Sequence, residues 1–249
     1  MSLEMNDGQP EMASEDHRTR VAAERRERMH ARLVESALLV FGQRGMDATV
    51  IDELIRTAAV SRGTFYNYFR TNEDLLLAVS VAVSNEMLRL IDPFAHVETD
   101  PAARIAAGVR LFIELARDFP ALGAFLTRGG LRVLTENSLI KEYLPRDLVQ
   151  ARESGRIRIS DIDLAFDLVV GTTLAALHRM QSGPLPDGYS AELASAILGA
   201  LGVPAEDAET IARRPLLRLQ LPPDSLLARA CARVPQANPE RDRLPEIGQ

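Results

Sequence analysis

The residues with the clearest chemical purpose lie together in the run SRGTFYNYF, positions 61 to 69. Phe65 and Phe69 are four residues apart and therefore share one face of a helix. With that face buried, Arg62, Thr64, Tyr66 and Asn67 point outward, a set that reads nucleic acid rather than making or breaking bonds. A guanidinium such as that of Arg62 can donate two parallel hydrogen bonds to guanine, and Asn67 can pair with adenine or bond a phosphate. Tyr66 and Tyr68 suit phosphate contacts that fix register, and Ser61 and Thr49 offer capped helix N-termini to phosphates. Gly63 and Asn72 complete this candidate DNA-binding set. Elsewhere no Ser/His/Asp or Cys/His arrangement, glycine-rich phosphate loop or metal spacing occurs, so no enzyme, cofactor or metal site is expected. The single cysteine, Cys231, has no internal disulfide partner, and acid pairs such as Glu73-Asp74 read as helix starts.

Two short helices joined by a tight turn must position those side chains. The first starts at Thr49, with Asp52 three residues on as a variant capping box, and turns Leu54, Ile55 and Ala58 inward. Ser61 caps the second. Before them, a helix from about Val21 to Arg44 carries Leu33, Ala37, Val40 and Phe41 as one apolar stripe, with Gly45 as its stop. After them, Thr71 and Asp74 repeat the cap signal. The positions Leu75, Val79, Val83, Met87 and Leu90 then carry a long helix to Asp92 and Pro93. Beyond Pro101 the pattern stays helical, with breaks at Pro120, Gly129-Gly130, Pro145, Gly155, Gly183-Pro184 and Gly202-Pro204. An all-α fold follows. It divides into a polar arm expected to be disordered (1–20), a helix-turn-helix module (21–70), a larger helical module (71–213) and a proline-rich tail (214–249). A short turn of helix is expected within 224–233.

The whole chain of 249 residues carries a net charge of -6, which taken alone argues against an anionic partner. The charge is unevenly spread, however. Residues 17–72 hold ten arginines and six acids, a net +4, whereas residues 1–16 hold five acids and no base. A basic module thus sits between an acidic tip and an acidic body, and local charge decides what is attracted. Arg18, Arg20, Arg25, Arg26, Arg28 and Arg32 could reach phosphates flanking a recognition site, or simply form a solvated helix face. No apolar run is long enough to span a membrane, and the N-terminus lacks a secretory pattern, so a cytoplasmic protein with no membrane partner is expected.

The stretch from Leu33 to Leu76 closely resembles the N-terminal domain of the TetR family of regulators. Phe41, Gly45, Thr49, Val60-Ser61, Gly63, Tyr66, Phe69 and Leu75 stand where that family has an aromatic, a glycine, a threonine, a valine-serine turn and a tyrosine-x-x-phenylalanine ending. The sequence departs from the pattern at four positions. Ala59 replaces the customary glycine of the turn, Tyr68 a histidine, Asn72 a lysine that would bind phosphate, and Ile55 a small residue where the two helices cross. A weaker resemblance extends through Leu148 to Ile157 to about residue 203.

The resemblance implies a homodimer binding double-stranded operator DNA, most simply a repressor released by a small-molecule effector. The segments 161–181 and 190–202, rich in small residues, would form the dimer bundle. Ligand binding between helices would tilt the long fourth helix and change the spacing of the two recognition helices. Candidate pocket residues are Phe112, Phe119, Phe125, Arg128, Arg132, Tyr143, Phe166 and His178, which mix apolar bulk with a few polar groups. Two other readings stay open: a regulator that binds DNA without a ligand, and a helical adaptor that binds a protein partner through its basic face.

Overall fold

The computed structural model describes residues 10–44, 51–135, 137–217, 219, 221–223 and 225–228. These form ten α-helices, α1 (Pro10–Arg44), α2 (Ile51–Ala58), α3 (Arg62–Tyr66), α4 (Asn72–Ala95), α5 (Pro101–Asp118), α6 (Pro120–Gly129), α7 (Ile140–Glu153), α8 (Ile162–Met180), α9 (Tyr189–Ala200) and α10 (Ala205–Ala212). A single 3-10 turn, Gly130–Val133, follows α6, and the described residues contain no strand.

The first helix corrects one expectation. Residues 10–20, read as disordered, continue α1 toward the N-terminus. Pro10 stands at the first helical position, where its fixed φ favours initiation and its missing N–H costs nothing. Glu11, Glu15 and Asp16 suit the positive helix start, and no glycine or proline interrupts the chain from there to Phe41. Residues 1–9, Gly45 and Thr49 lie outside the described residues.

Two anticipated breaks are also absorbed. Helix α4 runs on through Pro93 to Ala95, with the His96 N–H closing on the Asp92 carbonyl at 3.0 Å. Pro145 lies inside α7, where burial of Leu144, Leu148 and Ala151 outweighs the one lost backbone bond.

Helix α4 organises the molecule. Thr71 and Asp74 form a reciprocal capping box, at 3.0 and 3.1 Å, that starts it directly after the helix-turn-helix. Leu75, Val79, Val83 and Met87, one apolar stripe, are fully buried. Each such side chain contributes about 1.5–3 kcal/mol of burial. The helix packs on α1 at one end and on α5 and α6 along its length. Phe41 of α1 meets Phe125 of α6 edge-on, centroids 6.0 Å apart, so the two modules share one continuous core. A second core lies among α5, α7, α8, α9 and α10. Where α4 and α6 approach, a Cβ on Gly129 would meet the Ser80 Cβ at 2.9 Å and the Val133 Cγ1 at 2.5 Å, so only glycine fits.

The residues after α10 return to the first core. Arg214 pairs with Glu98 at 2.6 Å, and Arg110 donates to the Arg214 carbonyl at 2.7 Å. Leu216, Leu219, Leu221 and Leu226 pack onto that core, and Leu227 is fully buried. Residues 226–228 form the short helical turn, begun by a Ser225 hydroxyl that accepts from the Ala228 N–H.

The link between α2 and α3 carries strain. The Val60 N–H bonds to the Ile55 carbonyl and the Ala59 N–H to the Arg56 carbonyl, both at 3.1 Å, the pairing that closes a helix through a left-handed residue. That residue is Ala59, at φ 49°, and among the described residues it is the one non-glycine with positive φ. Alanine in this region costs about 1 kcal/mol relative to glycine. Ala59→Gly should therefore stabilise the chain by about 1 kcal/mol, read as a higher urea midpoint with an unchanged slope.

Candidate nucleic-acid interface and internal cavity

The short helix α3 places the expected recognition side chains as the Phe65/Phe69 spacing demands. Phe65 and Phe69 are buried with centroids 5.9 Å apart, and Arg62, Gly63, Tyr66 and Asn67 are exposed. The Ser61 hydroxyl caps α3 by accepting from the Thr64 N–H at 3.0 Å, and it also bonds the Thr64 hydroxyl at 2.8 Å. Thr64 is consequently half-buried rather than fully outward. Arg62 is not idle in the free chain, for its guanidinium donates to the Asp52 carboxylate on α2 at 2.5 Å. This bond and the carboxylate charge hold its pKa above the ordinary value. Tyr68 is half-buried, and the guanidinium of Arg26 lies 5.9 Å from its ring centre. Asn72 is half-buried, with its Oδ1 turned inward and unpartnered. Its side-chain oxygen is thereby withheld from the outward surface.

The second site is a cavity of about 120 Å³ in the larger module. Leu88 and Ile91 of α4, Ile105, Val109 and Phe112 of α5, Leu126 of α6, Leu144 of α7 and Val169, Val170 and Leu174 of α8 make it largely apolar. Gly108 also lines it, and a Cβ there would meet nothing within 4 Å. At one end stands an ionic cluster. Arg104 donates to Asp147 at 3.1 Å and to the Gln150 Oε1 at 2.7 Å. Arg146 bridges Asp147, at 3.1 Å, and Asp92, at 2.8 Å. His96 Nδ1 lies 3.3 Å from Asp92. Burial opposes the charge on Arg146, but its hydrogen bonds to Asp147 and Asp92 prevail and hold its pKa above the ordinary value. Asp92, Arg104 and Asp147 line the cavity itself, beside Ser84, Thr173 and Tyr143.

Of the eight pocket candidates, the cavity gathers Phe112 and Tyr143. Phe125 is buried against Phe41 at the junction of the modules, and Phe119 packs on the same core. Phe166 packs on the second core, Arg132 is exposed and pairs with Glu73 at 3.6 Å, and His178 is exposed on the last turn of α8. The side chain of Arg128 is outside the described residues. Sequence reasoning missed the charged wall, although Asp92 on α4 and His96 at its C-cap are four apart and Arg104 and Gly108 are four apart on α5. No local spacing links them to Arg146 and Asp147, which only the fold brings near.

A capped helix-turn-helix with a polar outward face, joined by one continuous helix to a larger helical module, defines a DNA-binding transcriptional regulator. The comparisons agree. The family described as bacterial regulatory proteins, tetR family, matches residues 33–79, and the tetracyclin repressor-like C-terminal domain matches residues 100–214. RolR, solved with resorcinol, is similar at 33% identity and TM-score 0.70, covering 80% of this chain and all of that one. The transcriptional regulator AcuR of Cereibacter sphaeroides is 32% identical over 97 residues, which are 39% of this chain and 42% of AcuR. The HTH-type regulator Rv1255c of Mycobacterium tuberculosis is 29% identical over 43% of this chain and 53% of its own. The chain thus spans about half the length of these curated relatives. FadR of Bacillus subtilis, at 18% identity and TM-score 0.53 over 69% of this chain and 96% of that one, shares the fold alone. This chain belongs to the TetR family of transcriptional regulators.

Two outcomes are expected of the cavity. Asp147→Ala, which strips Arg104 and Arg146 of their shared buried counter-charge, should cost about 3 kcal/mol in chemical denaturation. Gly108→Ala, which adds a methyl into open space and raises helix propensity, should instead stabilise by about 0.5–1 kcal/mol.

Proposed function

We propose that this chain is a dimeric repressor that leaves its operator when a small hydroxylated aromatic molecule occupies the cavity. The observation that carries the reading is the position of α4, whose first turn is capped against the helix-turn-helix and whose last turns wall the cavity. A ligand held there touches Leu88, Ile91 and Asp92 of that helix together with residues of α5 and α7. It can favour one orientation of α4 over another, as any effector must.

The cavity's size and lining select the ligand class. An apolar cavity of about 150 Å³ holds benzene, so the 120 Å³ here limits the occupant to at most a single ring. The carboxylates of Asp92 and Asp147 accept hydrogen bonds from hydroxyls, and the phenol of Tyr143 adds a polar partner. That RolR was solved with resorcinol supports the same class.

On the DNA side, Arg62 contacts a guanine in the major groove, Asn67 a base or phosphate, and Tyr66 a phosphate, with Gly63 allowing close backbone approach. Helices α8 and α9 supply the dimer seam. Gly171, Thr172 and Ala175 on one and Ala196, Gly199 and Ala200 on the other are exposed small residues, which let helices of a second copy approach closely.

Fluorescence anisotropy with duplexes from the DNA adjoining the gene tests the reading. Tight binding to one fragment, weakened tenfold or more by Arg62→Ala and relieved by resorcinol, is expected. Gly108→Leu should keep DNA binding while losing the response to resorcinol. Equal weak binding to every duplex would overturn the operator reading. Release of Gly108→Leu as readily as the native chain would overturn the cavity as the effector site.

A further inference from the structure

The middle of α1 carries a basic face that the helix-turn-helix does not use. Arg25, Arg28 and Arg32 are exposed and border one shallow hollow with Met29. At 3.6 residues per turn the three fall within an arc of about 60° and span about 10 Å of helix. Arg20 pairs with Glu24 at 3.9 Å, but Arg25, Arg28 and Arg32 form no ion pair with a described carboxylate. The opposite side of the same helix is fixed to the recognition module. Arg26 stacks over Tyr68, and the His30 ring lies 5.1 Å from that of Phe69, two residues just beyond the Asn67 cap of α3. These contacts seat α1 against the segment that follows α3, and the ridge lies on the outward side of the same helix.

We propose that this ridge is a second DNA-contacting surface, which holds backbone phosphates of the duplex outside the stretch read by α3. The reading rests on the operator function proposed above and extends it to flanking DNA. Three guanidinium groups on one helix face, with no ion-pair partner among the described residues, are the chemistry that holds successive phosphates. The ridge's length of about 10 Å equals the axial rise of three nucleotide steps of one strand, so neighbouring phosphates lie within reach of its side chains. The contact carries no sequence information. It adds affinity and salt dependence and makes both depend on duplex length.

The test compares the full chain with an Arg25→Ala/Arg28→Ala/Arg32→Ala variant and with the matching triple lysine variant, circular dichroism confirming equal helicity. Each is titrated against the footprinted operator core, with and without eight native base pairs on either side. The native chain should bind the long duplex more tightly than the short one. The alanine variant should lose that advantage, with a salt slope shallower by about 0.9 per arginine removed, while matching the native chain on the short duplex. The lysine variant should behave as native. If the alanine variant keeps the native affinity and slope on the long duplex, the ridge is only a solvated face and the proposal fails while operator binding stands. If the native chain binds neither duplex, the operator reading falls with it.

Discussion

Helix α4 has to serve the recognition element at one end and the cavity at the other. Its first turn is locked by the Thr71/Asp74 capping box immediately after the recognition element, and its last turns face the cavity. Between them the stripe Leu75, Val79, Val83 and Met87 is fully buried, so the helix cannot slide or roll without opening packed surface. Closely packed interiors pass such displacements on instead of absorbing them. The Ser80 hydroxyl donates to the Phe125 carbonyl at 3.0 Å and ties the same helix to α6, and the contact of Phe125 with Phe41 links α6 in turn to α1. The proposed coupling of the cavity to the recognition helices depends on that rigidity.

The charged wall of the cavity answers a different physical demand. Asp147 is almost wholly buried, and a carboxylate there is tolerable only because Arg104 and Arg146 reach it from two helices. The arrangement joins α4, α5 and α7 through directional bonds at one end of an otherwise greasy space. A ligand that enters must satisfy those groups as well as fill the volume, which sets a chemical filter on top of a size filter.

Much of the fold was legible in the sequence because local rules and packing agreed there. The Phe65/Phe69 face, the Ser61 and Thr71 caps and the apolar stripe of α4 follow from spacing alone. The reading failed where single residues were overruled by context. Pro93 and Pro145 sit inside helices whose buried neighbours outweigh one backbone bond, and the polar run from Pro10 continues α1. Cavity residues were the least legible, since Asp92, Arg104 and Asp147 are far apart in sequence and meet only through the crossing of three helices. Aromatic bulk was a poor guide, for Phe125 and Phe119 serve the core between modules. Ala59 is the reverse case, where a departure visible in sequence becomes a measurable backbone distortion.

The return of the chain after α10 changes where this protein can be said to end. The family match stops at residue 214, yet Leu227 lies wholly inside the first core, with Leu216, Leu219, Leu221 and Leu226 around it. Cutting at the homology boundary would strip a leucine-lined cover from beneath both modules and leave a greasy patch in water. Such patches drive proteins to associate indiscriminately. For this chain, solubility is thus written partly in a segment that likeness to relatives does not mark.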